Sequence, residues 1–170
     1  KKYVTIESLV LNYYDFHIHF VTKGQLLFLR YWDYGPSLGA NSRMSFQIGW
    51  PHWWMVIIII PFLFICLKKK IQTNKVYAAL FFVLVFLIAS FFTHRRSLFL
   101  WERIPMLPFV QFPWRFLGVI TFASSFVAGA ALYFFGLVIK SKKLIAVFFI
   151  LLIGLVIGLN YSFFRPQYFY

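Results

Sequence analysis

Four long apolar runs, none with a charged side chain, fill most of the sequence after Trp50. They cover residues 50–67, 76–92, 116–139 and 144–159. Each is close to the roughly 17–25 residues that an α-helix needs to cross about 30 Å of hydrocarbon. None has the polar face that a helix exposed to water requires. We therefore predict an all-α integral membrane protein with four transmembrane helices.

The charge balance also suits a membrane protein. The chain is 62% hydrophobic and 24% aromatic, and it has 17 Lys and Arg residues against 4 Asp and Glu residues. In a soluble protein this excess would suggest a nucleic-acid partner. Here the cations lie at the ends of the apolar runs, where they reach lipid phosphates. We predict contact with membrane lipids and none with nucleic acid.

Residues 1–49 differ from residues 50–170, the transmembrane helical region. This first segment holds three of the four acidic residues together with many aromatic ones. Aromatic side chains favour the membrane interface, so we predict an extracytoplasmic or interfacial segment. Because the chain starts at Lys1 without Met or a signal-peptide pattern, we expect it to be part of a longer protein.

Two loops rich in Lys set the predicted orientation. Residues 68–75 and 140–143 hold seven Lys residues in twelve positions. The positive-inside tendency therefore places these loops in the cytoplasm. The 93–115 loop and both ends of the chain then face the other side.

Small residues recur one helical turn apart in the last two spans, as Ser125 with Gly129 and Gly154 with Gly158. Such spacing lets helix backbones approach closely. The partner is either another helix of the same chain or a second copy of the protein. The lone Cys66 we interpret as a small buried apolar residue.

The 93–115 loop carries the strongest candidate binding site. Planar guanidinium groups bind phosphate bidentately, and Pro113 suggests a helix start whose free N–H groups favour an anion. We predict a short helix after Ser97 as its cap, and a lipid-phosphate site formed by Arg95, Arg96, Arg103, Trp114 and Arg115, with Trp101 beside it. The alternative is interfacial snorkelling, with Glu102 paired to one of the arginines.

A second candidate group consists of Asp15, His17 and His19. Their spacing of two places them on one face of a strand or spreads them around a helix. They suit acid–base chemistry, metal binding or plain interfacial hydrogen bonding. The spans lack Asp, Glu, Lys and Arg, which disfavours an ion-coupled transporter. We predict no metal site and no cofactor, with a divalent metal left open for a longer protein.

A further acidic residue, Asp33, lies in Trp32-Asp33-Tyr34-Gly35, which is similar to the signature of oligosaccharyltransferase catalytic subunits.

Several segments together resemble a family. They are His19-Phe20-Val21, Gln25-Leu26-Leu27, Trp32-x-Tyr34-Gly35-x-Ser37, Met44-Ser45-Phe46-Gln47-Ile48-Gly49 and Pro108-Phe109-Val110-Gln111-Phe112-Pro113-Trp114-Arg115-Phe116-Leu117. Over roughly residues 12–117 the chain resembles bacterial multi-span membrane proteins labelled as 6-pyruvoyl-tetrahydropterin synthase-related. Despite that label, these proteins look like C-type glycosyltransferases.

The resemblance implies a multi-pass protein of the bacterial inner membrane that uses a polyprenyl-phosphate-linked sugar at the outer face. Its catalytic acid would lie in an earlier outward loop, so no catalytic residue is assigned here and the chain alone should be inactive. Asp15, His17, His19 and Asp33 become acceptor-side candidates. The alternative is a non-catalytic scaffold or assembly component of envelope polysaccharide machinery.

Overall fold

The computed structural model describes residues 14–31 and 44–161, and the described chain is helical with no strands. Its four long helices are α2, Trp50–Lys68; α3, Thr73–Thr93; α5, Phe116–Ile139; and α6, Lys142–Asn160. All four are long and apolar enough to cross a membrane. This confirms the predicted fold class and places the helix ends within three residues of the predicted ones.

Shorter helices lie before and between these spans. They are α1, Lys23–Leu27; α4, Leu98–Arg103; and 3-10 helices at Phe16–Ile18, Arg95–Ser97, Leu107–Val110 and Pro113–Arg115. α1 begins with a capping box, in which Thr22 and Gln25 each accept a hydrogen bond from the other's backbone N–H. These short helices fix the segments outside the spans without forming a sheet.

The ends of the spans follow from local chemistry. Gly49 precedes α2 with φ +90°, and a Cβ added there would lie 2.8 Å from His52 Nδ1, so only glycine fits. Pro51 occupies the first turn of α2, where its missing N–H and fixed φ are tolerated. Between α5 and α6 only residues 140 and 141 are non-helical. Ser141 caps α6 by accepting a hydrogen bond from the Leu144 N–H.

The chain divides into two compact units. One comprises the described residues up to Gln47 with Leu87–Val119, and the other comprises Ile48–Phe86 with the described residues from Ile120 onward. The second unit contains α2, α6 and most of α3 and α5. The first contains most of the described residues before α2 and the whole segment between α3 and α5, and with them every candidate site residue that the structure describes.

Packing in the second unit depends on aliphatic and aromatic contacts. Ile59, Val127 and Ala131 are fully buried, and Cys66 is a free, buried cysteine, as predicted. Phe135 of α5 stacks on Phe148 of α6 with ring centroids 4.3 Å apart.

The glycines of the small-residue pairs lie in open space. No described atom comes within 4 Å of a Cβ added at Gly129, Gly154 or Gly158. A close approach occurs at Gly136 instead, where Ile145 of α6 lies 3.3 Å from the added Cβ. Since α6 has no buried residue, its glycine pair faces away from the rest of the described chain.

Candidate functional site

Two segments outside the spans share one aromatic core in the first unit. Phe16 and Phe20 pack on Trp101, which is fully buried. The rings of Phe16 and Trp101 are stacked with centroids 5.4 Å apart, and Phe20 meets Trp101 edge-on at 5.6 Å. The Trp101 indole N–H donates to the Phe92 carbonyl at 3.2 Å. Trp101 is therefore a core residue, and its place beside a lipid-phosphate site stays a prediction.

A backbone hydrogen bond also joins the two segments. The Val21 N–H donates to the Thr93 carbonyl at 3.1 Å, where Val21 and His94 form an isolated parallel bridge. The first segment carries Asp15 and His17, and the second carries the arginines. The Asp15–His17–His19 group and the arginines of the 93–115 loop therefore belong to the same compact unit. Their separation in sequence did not indicate this.

The backbone just before α5 turns sharply and carries strain. Gln111 has φ +65° and ψ −52°, and the Phe112 N–H donates to the Val110 carbonyl at 2.7 Å, so Gln111 is the centre of a γ-turn. A non-glycine residue in this conformation costs about 1–3 kcal/mol. Such strain persists only where the surrounding structure fixes the backbone, and it is common at functional sites.

Arg115 is held in place by this turn. One guanidinium N–H donates to the Val110 carbonyl at 3.0 Å, and the group lies 4.9 Å from the Phe112 ring centroid. Arg115 stays exposed, so most of its five N–H donors remain available. The strained turn thus presents a pre-positioned guanidinium beside the start of α5.

Trp114, which precedes Arg115 in the sequence, has an unsatisfied donor. Its indole stacks on Phe112 with centroids 5.2 Å apart. The indole Nε1 is buried and has no hydrogen-bond partner among the described residues. A buried N–H without an acceptor is costly, so a ligand oxygen that reached this atom would remove a penalty as well as form a bond.

The other three predicted arginines, Arg95, Arg96 and Arg103, are all exposed. Within residues 14–31 and 44–161, none of them forms an ion pair with a carboxylate. Glu102 instead approaches His17, with 3.6 Å between Oε1 and Nε2. The alternative in which Glu102 neutralises an arginine is therefore wrong for the described part of the chain.

His94 orders the start of the arginine-bearing segment. Its Nδ1 accepts a hydrogen bond from the Arg96 N–H at 3.1 Å and so caps the 3-10 helix Arg95–Ser97. Partial burial lowers the pKa of His94, and the charges of Arg96 and Lys23 lower it further.

Ser97 precedes the predicted short helix, α4, but does not cap it with its side chain. The Ser97 hydroxyl donates instead to the carbonyls of Phe92 and His94, at 3.2 Å and 2.8 Å.

Asp15 and His17 form a hydrogen-bonded pair at the surface of the first unit. The Asp15 Oδ1 lies 2.6 Å from His17 Nδ1 and also accepts from the His17 backbone N–H at 3.0 Å. Partial burial would raise the pKa of Asp15, but the hydrogen bonds and charge of His17 outweigh it and lower this pKa. A carboxylate only accepts hydrogen bonds, so His17 Nδ1 carries the hydrogen and Nε2 faces Glu102.

The remaining predicted residues do not join this pair. His19 is buried, with its ring edge-on to Phe112 at 4.7 Å. Asp33 and the segment that includes it lie outside the described residues. In the described part of the chain, no three His, Cys, Asp or Glu side chains are grouped so that they could hold a metal ion.

Sequence reasoning missed two features of this unit that had local signals. The Thr22-x-x-Gln25 pattern is a capping-box signature and predicts the start of helix α1. The Gln25 carbonyl of this helix accepts a hydrogen bond from the Phe46 N–H at 3.2 Å. His94 directly precedes a helical turn, a position where a side-chain acceptor is expected.

Comparisons with protein-family models, with curated proteins and with solved structures found no match to this chain.

Proposed function

We propose that this chain is part of a multi-pass membrane protein, resembling a glycosyltransferase, that uses a polyprenyl-phosphate-linked sugar at the outer face of the bacterial inner membrane. The loops 68–75 and 140–143 would then be cytoplasmic. The observation that carries the proposal is Arg115, whose exposed guanidinium is hydrogen-bonded to the Val110 carbonyl at 3.0 Å, at the strained turn before α5.

The geometry at Arg115 and Trp114 suits a phosphate better than a plain snorkelling cation. A snorkelling side chain extends freely towards water, whereas Arg115 is folded back onto Phe112 and a strained turn. A phosphate bound at Arg115 would accept from the guanidinium N–H groups that Val110 leaves free, and an oxygen that reached the buried Trp114 indole N–H would satisfy that donor as well. Arg95, Arg96 and Arg103 supply positive charge along the same segment, and among the described residues none of them pairs with a carboxylate.

The Asp15–His17 pair is the acceptor-side candidate in this proposal. An ionised Asp15 fixes the His17 tautomer, which leaves Nε2 to accept a proton from a sugar hydroxyl. Both side chains are exposed enough to meet a substrate. This role is separate from phosphate binding and is tested separately, by sugar transfer in the natural full-length protein with His17→Gln.

Phosphate binding can be tested directly with polyprenyl phosphate and the purified chain in detergent. Loss of charge-assisted hydrogen bonds worth about 1.5–3 kcal/mol predicts an affinity loss of about 10- to 100-fold for Arg115→Ala. Arg115→Lys should lose part of the affinity because it keeps charge but not the fork. Trp114→Phe removes only the indole donor and should weaken binding less.

Lys143→Ala is the matched control, because it removes an exposed cation from the start of α6. If Arg115→Ala and Lys143→Ala bind polyprenyl phosphate equally well, Arg115 does not recognise the phosphate and the proposal is wrong.

A non-catalytic scaffold is the second candidate function, and the unburied surface of α6 favours it. None of its residues is buried, and its two glycines, Gly154 and Gly158, face open space. A scaffold predicts that Gly154→Leu and Gly158→Leu reduce self-association in detergent, as read by analytical ultracentrifugation. A monomeric wild-type chain would remove this support.

A further inference from the structure

An open groove lies between α3 and α5, in the second unit. Its volume is about 530 Å³. Small residues and aromatic rings line it, among them Ala78, Ala79, Ser125, Gly129, Phe82 and Phe126. Ser125 donates its hydroxyl to the Thr121 carbonyl of its own helix at 3.0 Å. The groove surface is therefore almost wholly apolar along its length.

One end of the groove is cationic. Lys75 Nζ donates to the Tyr133 hydroxyl at 2.9 Å and lies 4.7 Å from the Tyr133 ring centroid. An ammonium has three N–H donors, so this contact leaves two for a ligand. In the part of the chain that the structure describes, no carboxylate pairs with Lys75.

Two stacked aromatic rings line the other end of the groove. Phe82 and Phe126 stack with centroids 4.2 Å apart and an interplanar angle of 4°. Phe82 lies seven residues after Lys75, which is a rise of about 10 Å along α3 at 1.5 Å per residue. One leaflet contributes about 15 Å of hydrocarbon, so the groove runs from the membrane surface through most of one leaflet.

We propose that this groove binds one acyl chain of an anionic phospholipid, with the lipid phosphate at Lys75 and Tyr133. The phosphate oxygens accept from the two remaining Lys75 N–H groups. Tyr133 accepts from Lys75 and donates its own hydroxyl hydrogen to the phosphate, which satisfies both side chains. The acyl chain fills the space above Gly129 and ends at the Phe82–Phe126 stack.

Charge complementarity favours a lipid over a partner helix. A helix laid along the groove would cover the Lys75 ammonium, and removing an unpaired charge from water is costly. A phospholipid supplies both the matching anion and an apolar chain narrower than a helix, whose diameter is about 10 Å. This site is independent of the proposed phosphate site at Arg115.

The test uses the whole chain in detergent, with phosphatidylglycerol and phosphatidylcholine added at equal concentration and retained lipid measured by native mass spectrometry. Gly129→Leu fills the groove, where an added Cβ meets no described atom, and should lower retention of both lipids at least five-fold. Lys75→Gln should remove the preference for phosphatidylglycerol and leave the two lipids equally bound.

Gly118→Leu is the matched control. It lies on the same helix, is also open around its Cβ position and does not line the groove, so its lipid retention should equal that of the wild type. The proposal is overturned if Gly129→Leu retains lipid like Gly118→Leu. It is also overturned if Gly129→Leu changes the oligomeric state while lipid retention stays the same, because the occupant is then a helix. A wild type with no preference between the two lipids overturns the phosphate assignment.

Discussion

Trp101 should be the residue whose truncation most destabilises the segments outside the spans. It is fully buried, stacks on Phe16 and donates its indole N–H to the Phe92 carbonyl. Because Trp101 lies in the segment between α3 and α5, unfolding of this segment exposes the Trp101 side chain to water. Truncating a buried Trp to Ala costs about 3–5 kcal/mol. For a chain of this size, each kcal/mol lowers the melting temperature by about 2–4 °C.

We therefore expect Trp101→Ala to melt about 6–20 °C below the wild type in detergent, followed by intrinsic fluorescence or scanning calorimetry. Trp101→Phe keeps a ring in the core but loses one hydrogen bond worth about 1 kcal/mol. Together with imperfect packing of the smaller ring, Trp101→Phe should lower the free energy of unfolding by about 1–2 kcal/mol. Its melting temperature should fall between those of the wild type and Trp101→Ala.

Trp54 offers the matched control, since it lies on α2 and its side chain is 48% exposed. Trp54→Ala should stay within about 0.5 kcal/mol of the wild type. The reasoning fails if Trp101→Ala and Trp54→Ala melt within 2 °C of each other, an interval of the order of that surface effect.

Three further predictions concern local geometry. Gly49→Ala should cost about 1–3 kcal/mol because alanine cannot relax at φ +90°, whereas Gly118→Ala, in a helix with open space, should melt at or above the wild-type temperature. Thr22→Ala removes a helix cap and should cost about 1 kcal/mol; unchanged melting would argue against the capping box. The folded-state pKa of His94 is lowered, so the unfolded chain binds more protons near and below pH 6.5. The contribution of His94 to stability is present above pH 6.5 and is lost as the pH falls from there through the lowered folded-state pKa. His94→Asn keeps a capping acceptor that does not titrate, so it should flatten the melting temperature between pH 7.5 and pH 5.5, and an unchanged slope would refute this role.

The spans could be predicted from the sequence because one physical requirement dominates them. A backbone in hydrocarbon must satisfy its own hydrogen bonds, so a long apolar run without charges becomes a helix. The main difference is the start of α3, which begins at Thr73 rather than at residue 76. Lys75 therefore belongs to the helix and lines its groove, although its charge suggested a loop.

The candidate site could be predicted only in part. Arg115 and Trp114 stood out because their chemistry is local to one motif. The γ-turn at Gln111 did not, since Gln has no preference for positive φ. The burial of Trp101 depends on Phe16, which is distant in sequence, and an aromatic residue near a membrane edge is equally common at the interface or in a core.

The weak packing of α6 has a mechanical consequence. Because none of its residues is buried, α6 is kept in the membrane mainly by its partition into lipid and by the short connection at residues 140 and 141. Pulling on the C-terminus in a single-molecule force experiment should therefore extract α6 before α5, as a separate step. The force of that step should depend on the bilayer, whereas core substitutions such as Trp101→Ala should leave it unchanged.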